Sequence, residues 1–420
     1  MISAIRPNLS LLLGWRRSEY HLPYAICEFS GYLMGKPWEN WIPGVLSKGQ
    51  MQALVDEAVL FVPNDTIGAA SLDLTLTAEA YKMKRGSVKP GGDKRFSALL
   101  KNKDLAEKLP ASPEGFFVLG SKETYVFEVA ERLDSAFAEI GIYGQATAKS
   151  SVGRMDVLAR LIVDGMDKYE NFDAPNLKGQ SGQMYLEITP FTFPVAVQVG
   201  KPLSQLRLFY GRPKDVEISS PEIFRTVFRD SANCDGSLSV DLENTLIGGL
   251  ETAAFRATVG ASCAPIKLWE SGSLPNPCES WKFVKTGKDR RLRIENDQFY
   301  ILRSKEKIRV PAGVAIYCRA SDETIGEMRI HYAGFVHPHF GIRDDGAKGT
   351  PLIFEVRGHQ VDVNLRNGER MANLTLYRMS EDAEPDKTTY GKQTLKLSGF
   401  FGDWPQELRE VGSDGTVEAV

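Results

Sequence analysis

The stretch "YLEITPFTFPVAVQVGKPLSQLRLF" at residues 185–209 occurs a second time, in altered form, as "IFEVRGHQVDVNLRNGERMANLTLY" at residues 353–377. The two copies align without a gap, and Glu187 meets Glu355 at a spacing of 355 − 187 = 168 residues. Apolar and polar residues alternate through both copies, which is typical of β-strands. A period this long is not that of a solenoid repeat, so the pattern predicts a duplicated domain made mostly of short strands.

Other residues repeat at the same distance. Gly200 and Gly368 each separate two alternating runs, which predicts a hairpin turn at each glycine. Upstream, "GAASLDLTL" resembles "GSLSVDLEN", so that Asp73 is matched to Asp241 with 241 − 73 = 168. The fold class predicted from these patterns is mainly β, with two tandem domains and a few short helices.

The predicted boundaries follow from the repeat. One early helix is expected in "SKGQMQALVDEAV", where apolar residues recur at helical spacing and Ser47 can cap the first turn. The segment "GRPKDVEISSPE" is the expected joint between the repeats. The predicted parts are an N-terminal extension (1–43), a first repeat (44–215), a second repeat (216–402) and a frayed C-terminal tail (403–420).

Composition excludes several classes of protein. The net charge is −3, with 51 basic and 54 acidic residues, whereas a duplex-binding protein normally has a basic excess, so no nucleic-acid partner is predicted. The five cysteines are scattered without a Cys-x-x-Cys motif, which indicates neither a disulfide framework nor a zinc knuckle and favours the cytoplasm. No apolar run reaches the ~18 residues of a membrane span, so no membrane partner is predicted.

The stretch "AKSSVGRMDV" contains the side chains best suited to an anion, namely Lys149, Ser150, Ser151 and Arg154. Hydroxyl groups can donate to phosphate oxygens, and the two cations can neutralise phosphate charge. The same residues could form the solvated end of a strand. The segment alone leaves both interpretations open.

Two glutamates stand in otherwise apolar strands. Glutamate is rarely buried in a strand without a partner, and the recurrence of Glu187 as Glu355 favours a functional role over an outward-facing position. His337 and His339 in "GFVHPHFG" could suggest a metal, but no third ligand lies at motif spacing and Pro338 indicates a turn. No protein-held metal site is therefore predicted.

The motifs "AKSSVGR", "MYLEITP" and "GKPLSQLRLF", in this order, resemble those of the deoxycytidine triphosphate (dCTP) deaminases, which share the fold of the trimeric dUTP diphosphatases (dUTPases). "GVLSKGQMQALVDEAV" and "GAASLDL" are similar to the family's first helix and strand, and the duplication is similar to a tandem bacterial form. The resemblance covers about residues 44–400. It implies two dUTPase-like β-barrel or sandwich domains of distorted jelly-roll type.

The resemblance also implies an activity and a set of site residues. The activity is hydrolytic deamination of dCTP to dUTP and ammonia, with Glu187 matching the catalytic glutamate that activates water. Ser150 and Arg154 match the residues that position this water and the glutamate. The implied substrate-binding residues are Lys149 and Ser151 at the triphosphate, Gln205 in the closing strand, and Tyr390 and Gln393 in a Tyr-x-x-Gln lid. Family members work without zinc, and Mg²⁺ is expected to enter with the triphosphate.

Neither repeat matches the family in full. Where the family has a His-Arg-Ile-Asp-Pro-Gly hairpin, the first repeat has the longer "VDGMDKYENFDAPNLKGQSG". The second repeat keeps the hairpin-like "AGFVHPHFG" and Glu355, but has "CRASDETIGE" in place of the Ser-Ser-x-x-Arg segment. The sequence therefore predicts one competent repeat helped by a degenerate one, with Glu355 as a possible second-copy site.

Two other functions stay open. A dUTP diphosphatase, or an enzyme with both activities, would use an aspartate after the Ser-Ser segment, where Asp164, Asp167 and Asp173 lie. A non-catalytic nucleotide-binding protein is the third interpretation.

The predicted assembly is a homotrimer of two stacked layers. In the family one subunit supplies the Ser-Ser-x-x-Arg segment and its neighbour supplies the glutamate. A closed ring of three cannot alternate two kinds of repeat. Each layer of the trimer is therefore expected to contain three copies of the same repeat.

Overall fold

A computed structural model describes residues 35–92, 95–177, 182–228, 234–260, 263–270, 272–321, 328–331 (backbone only), 334–342, 349–385 and 395–420. Strands predominate in this part of the chain and the helices are short, which confirms the predicted fold class. The helices are α1 (Lys48–Asp56), α2 (Phe96–Leu100), α3 (Phe137–Ile140), α4 (Ser150–Gly153), α5 (Pro221–Val227) and α6 (Pro277–Ser280), with 3₁₀ helices at Pro37–Asn40, Ala174–Leu177 and Pro213–Val216. None of these helices is long and apolar enough to cross a membrane.

The strands fall into two series. Those of the first half are β1 (Gly44–Val45), β2 (Leu60–Phe61), β3 (Leu72–Met83), β4 (Ala106–Lys108), β5 (Phe116–Leu119), β6 (Tyr125–Val129), β7 (Arg132–Leu133), β8 (Ile142–Ala148), β9 (Val157–Val163), β10 (Asn171–Asp173), β11 (Met184–Pro190), β12 (Val195–Gln198) and β13 (Pro202–Tyr210). Those of the second half are β14 (Glu217–Ile218), β15 (Ser237–Asp241), β16 (Thr245–Ile247), β17 (Leu250–Thr252), β18 (Ala254–Ala257), β19 (Ile266–Lys267), β20 (Trp281–Val284), β21 (Arg291–Ile294), β22 (Phe299–Ile308), β23 (Val314–Ala320), β24 (Met328–His331), β25 (Gly334–Val336), β26 (Thr350–Gly358), β27 (Val363–Arg366), β28 (Arg370–Arg378), β29 (Leu408–Glu410) and β30 (Val417–Ala419).

Both halves build the same main sheet. In the first half the strand order is β10-β8-β13-β3-β6-β11-β9, with β1 and β4 added at β13 and β3. In the second half it is β25-β23-β28-β15-β22-β26-β24, with β14 added at β28, and with β18 added at β22 and β20 at β18. The two orders correspond strand for strand, so the duplication seen in the sequence is a duplication of topology.

The register corrects one predicted correspondence. Gln205 in β13 pairs with Asp73, and its repeat equivalent in β28, Asn373 (373 − 205 = 168), pairs with Ser237. Asp73 therefore corresponds to Ser237, at a spacing of 237 − 73 = 164, and the predicted match with Asp241 is wrong. A slip of four residues keeps the same side chains on the same face of a strand, so alternation alone could not reveal it.

Buried glutamates support the corrected register. The backbone N–H and hydroxyl of Thr75 donate to Glu131 over 2.8 and 2.7 Å, and those of Ser239 donate to Glu306 over 2.7 and 2.7 Å. Thr75 and Ser239 are also separated by 239 − 75 = 164 residues. In both repeats a carboxylate thus satisfies a backbone N–H group of β3 or β15 at the place where the strand register shifts.

The predicted turns at Gly200 and Gly368 are present, but the strands around them do not form hairpins. Both glycines have positive φ, +78° and +82°, a conformation that favours glycine. The strand before each turn pairs elsewhere, β12 with β5 and β27 with β21, while β13 and β28 enter the main sheets. The glycine turns therefore redirect the chain from one sheet to another.

The early helix is confirmed as α1. The N–H of Gln50 donates to Oγ of Ser47 over 3.3 Å, and the N–H of Ser47 donates to the Gln50 side chain over 3.1 Å, which is a capping box. Met51 and Leu54 on its inner face are fully buried.

The tail beyond residue 402 is not frayed, contrary to expectation. β29 and β30 form an antiparallel pair, and the N–H of Phe283 donates to the carbonyl of Gly415 over 2.8 Å. An ion pair between Lys282 and Asp414 adds to this contact. The tail is thus tied to β20 of the second half.

The two halves pack together within the compact unit Asn40–Val420. Phe209 and Tyr377, which occupy the same repeat position (377 − 209 = 168), meet edge to face with ring centroids 5.2 Å apart. Arg207 is fully buried and donates to the carbonyl of Ile316 over 2.9 Å. Side chains of the first repeat consequently face directly onto the second.

Candidate active site

The Ser-Ser-x-x-Arg segment forms α4 and its end. The chain leaves β8, Lys149 is extended, and Ser150 starts a four-residue helix that closes at Arg154. Nη2 of Arg154 donates to Oγ of Ser150 over 3.0 Å, since residues four apart lie on one side of a helical turn. Arg154 is buried while Ser150 is exposed, so the serine lies where a ligand can reach it.

The carboxylate opposite this segment belongs to the second repeat. Nε of Arg154 lies 3.9 Å from Oε1 of Glu355, which points from β26 towards the first repeat. Burial, which leaves Glu355 only 6% exposed, raises its pKa to about 8, and the charge of Arg154 opposes this rise. The group can therefore both accept and release a proton near neutral pH.

The segment that follows the predicted lid also reaches α4. The carbonyl of Leu397 accepts a hydrogen bond from Nη1 of Arg154 over 3.3 Å, and Oγ of Ser398 donates to the carbonyl of Ser151 over 2.7 Å. Tyr390 and Gln393 themselves lie outside the described residues.

Glu187 has a different set of partners. It is 1% exposed, forms an ion pair with Arg160 directly across the β9–β11 register, and accepts hydrogen bonds from Tyr169 and Ser87, both over 3.2 Å. The guanidinium of Arg160 also stacks 4.0 Å from the centre of the Tyr169 ring. The structure therefore brings Ser150 and Arg154 together with Glu355, and Glu187 together with other residues of its own repeat.

Lys149 and Gln205 lie beside the same edge of the first sheet. Lys149 forms an ion pair with Asp73, which is the register partner of Gln205. Oε1 of Gln205 lies 3.3 Å from Oγ of Ser71 and 3.2 Å from Nε2 of His337, which comes from the hairpin-like segment of the second repeat. This contact also crosses between the repeats.

The remaining candidates are placed as follows. Asp164 accepts a hydrogen bond from the N–H of Phe96 over 2.6 Å, while Asp167 and Asp173 are exposed. Nε2 of His339 lies 2.8 Å from the carbonyl of Ala383. Within the described part of the chain, no three His, Cys, Asp or Glu residues are grouped so as to hold a metal ion.

Sequence reasoning missed Arg160, Tyr169 and Ser87 as partners of Glu187, because only the sheet register reveals them. One sequence signal did point across the repeats. The first repeat keeps the serine–arginine segment and lacks the hairpin, while the second keeps the hairpin and lacks the segment, so the two losses are complementary.

The comparisons with known proteins agree with this organisation. Residues 42–212 match the family model for the "2'-deoxycytidine 5'-triphosphate deaminase (DCD) N-terminal domain", and residues 225–401 match the model for its C-terminal domain. A crystal structure of 2'-deoxycytidine 5'-triphosphate deaminase from Agrobacterium tumefaciens is similar with a TM-score of 0.72 and 29% identity, covering 81% of this chain and 99% of that one. No curated protein sequence matches the chain.

The fold and the site define a tandem dUTPase-like protein, as predicted. The chain belongs to the 2'-deoxycytidine 5'-triphosphate deaminase family. Membership supports an enzyme that catalyses a deamination.

Proposed function

We propose that this protein hydrolyses dCTP to dUTP and ammonia at a single site built between its two repeats. The observation that carries the proposal is the meeting of Ser150 and Arg154 from the first repeat with the buried Glu355 from the second. Glu187, the catalytic residue predicted from the sequence, has its carboxylate bound by Arg160 and two hydroxyl groups. We therefore assign the acid–base role to Glu355.

The proposed chemistry uses one carboxylate several times. Glu355 takes a proton from water as hydroxide adds to C4 of cytosine, and passes that proton to N3. It then moves the hydroxyl proton to the amine, which leaves as ammonia while the C4 carbonyl forms. Because burial raises the pKa of Glu355 to about 8, both transfers are accessible near neutral pH. Ser150 and Arg154 hold the water and the carboxylate in place.

The nucleotide is proposed to bind along the edge that carries Lys149. Lys149 and Ser151 contact the triphosphate. Lys149, which is paired with Asp73 in the free protein, binds phosphate oxygens instead when the nucleotide is present, so its charge stays paired. Gln205 lies beside the second-repeat hairpin and contacts the base or sugar. Tyr390 and Gln393 are proposed to close over the nucleotide as a lid.

Metal ions are assigned a limited part in this proposal. Phosphate oxygens would supply most ligands of a magnesium ion that enters with the nucleotide, since Mg²⁺ is commonly held by one or two carboxylates plus phosphates and water. Asp73, which is partly exposed beside Lys149, is the carboxylate placed to assist. We propose no role for zinc, since the glutamate activates the water.

Assembly and location complete the proposal. We propose a homotrimer and a cytoplasmic location, as the sequence predicts. The contacts expected between repeats within the assembly are different. Each repeat was expected to pair only with its own kind, whereas Arg154 of the first repeat meets Glu355 of the second within one chain. The proposed acid–base residue and its serine–arginine partners therefore need no second chain.

Product analysis tests the proposed reaction. The full-length protein is expected to release ammonia from dCTP in equal amount to the dUTP formed, with Mg²⁺ added and after zinc has been removed by chelation. Pyrophosphate release from dUTP without ammonia release from dCTP would identify a diphosphatase, and both together a bifunctional enzyme. Binding without either product would leave the non-catalytic interpretation.

A further inference from the structure

A chain of charged groups crosses between the repeats next to the proposed site. Nζ of Lys122 lies 2.7 Å from Oδ2 of Asp297, Nη2 of Arg357 lies 2.5 Å from Oδ1 of Asp297, and Nη1 of Arg357 lies 2.5 Å from Oδ2 of Asp156. Lys122 and Asp156 belong to the first repeat, and Asp297 and Arg357 to the second. We call these four residues the ionic bridge. Two of its ion pairs, Lys122–Asp297 and Arg357–Asp156, join one repeat to the other.

The ionic bridge lies beside the proposed catalytic pair, on the same two segments of the chain. Arg357 follows Glu355 by two residues on β26, so both side chains point to the same face, about 7 Å apart along the strand. Asp156 follows Arg154 by two residues in the facing segment. The Asp156–Arg357 pair therefore joins β26 to the segment that follows α4, two residues along each from Glu355 and Arg154.

The bridge is buried at its centre. Asp156 is fully buried, and the side chain of Arg357 is 8% exposed. Oγ1 of Thr192 donates to Oδ2 of Asp156 over 2.5 Å and is also an acceptor for Arg357 over 3.1 Å. A buried ion pair is weak evidence of stabilisation, because desolvation offsets much of the Coulombic attraction, so stability alone does not account for it.

Three members of the bridge adopt left-handed backbone conformations. The φ angles are 62° for Lys122, 57° for Asp156 and 58° for Asp297. Non-glycine residues with positive φ are uncommon, and such strained positions persist where the surrounding contacts over-determine them. Their concentration in one network beside a candidate site is typical of pre-organisation.

We propose that Arg357, held by Asp156 and Asp297, is a positioning residue that sets the separation between Arg154 and Glu355. This inference rests on the proposed function. Without the bridge, the facing segments would no longer be fixed, and a displacement of about 1 Å at a reacting group can cost about 10²-fold in rate. The effect should appear in kcat rather than in KM, since the guanidinium of Arg357 is bound by Asp156, Asp297 and Thr192 and the side chain is only 8% exposed.

Three variants test the inference: Arg357→Met, Arg357→Lys, and the double variant Asp156→Asn/Arg357→Met. Arg357→Met is expected to lower kcat by about 10–10²-fold with KM little changed, and Arg357→Lys to recover part of the loss. The double variant also removes the carboxylate that Arg357→Met leaves buried without its partner, so it should regain thermal stability while kcat stays low. Recovery of kcat together with stability would show that the bridge is merely structural and overturn the inference.

Two parallel variants make the outcome unambiguous. Arg303→Met removes another arginine–aspartate pair of the second repeat, Arg303–Asp241 at 2.8 Å, and is expected to leave kcat unchanged. Glu355→Gln separates this inference from the proposed function. If Glu355→Gln abolishes turnover while Arg357→Met is fully active, only the positioning role is wrong. If Glu355→Gln is itself fully active, the assignment of the acid–base role to Glu355, on which this inference rests, is wrong.

Discussion

Raising the pH from about 5 to about 9 is expected to destabilise the folded protein through Glu355. Burial raises the pKa of this carboxyl from its ordinary value of 4.5 to about 8. The folded chain therefore keeps a proton that the unfolded chain releases, and stability falls as the pH rises between these two values. At ~1.36 kcal/mol per pH unit, the difference corresponds to about 5 kcal/mol, all of it present below about pH 4.5 and lost above about pH 8.

Urea denaturation of the wild type and of Glu355→Gln at both pH values measures this effect. Glutamine does not titrate, so the wild type should lose about 4 kcal/mol more unfolding free energy than the variant between about pH 5 and about pH 9, since part of the full loss has already occurred at about pH 5. Asp156, whose pKa burial raises to about 7, titrates in both proteins and cancels in the comparison. Parallel pH dependences in the two proteins would show that ionising Glu355 in the folded protein carries no free-energy penalty, contrary to this prediction.

Three further predictions concern nucleotide binding and Glu187. Lys149→Ala should weaken the binding of dCTP by about 1.5–3 kcal/mol and that of deoxycytidine far less, as measured by calorimetric titration. Equal weakening of both ligands would exclude a phosphate contact. Titration of Glu355→Gln with dCTP should give one nucleotide per chain, whereas two per chain would mean that Glu187 also forms a site. Arg160→Met should lower the unfolding free energy by about 3–5 kcal/mol, because it leaves the carboxylate of Glu187 buried without its cation, while turnover per folded molecule is unchanged. Lost turnover at unchanged stability would contradict this structural role.

The duplicated fold could be predicted because it depends on a repeated pattern within the chain. The gapless match of residues 185–209 with residues 353–377 predicted a duplicated domain, and the structure shows that the two copies share one strand order. The partner of Asp73 was misplaced, since an even slip preserves strand alternation and only the pairing of Gln205 and Asn373 fixes the register. The tail hairpin was missed because its strands, of three residues each, are too short to show a period.

The residue types of the site could be predicted, but their grouping could not. Glu187 is the glutamate that matches the family's catalytic motif, whereas Glu355, which meets Arg154, lies 355 − 154 = 201 residues beyond it in the chain. Its contact with Arg154 exists only because the two repeats pack face to face. The pairing of Arg160 with Glu187 is likewise a property of strand order, which local sequence does not reveal.

The dCTP deamination rates of Glu355→Gln and Glu187→Gln, measured side by side, decide which glutamate acts as acid and base. We expect the rate to fall by about 10²–10⁴-fold in Glu355→Gln, because the amide cannot take and return a proton, with nucleotide binding retained. Glu187→Gln is expected to deaminate dCTP at close to the wild-type rate. Normal turnover by Glu355→Gln together with inactivity of Glu187→Gln would show that Glu187 is the acid–base residue and place the working site in the first repeat.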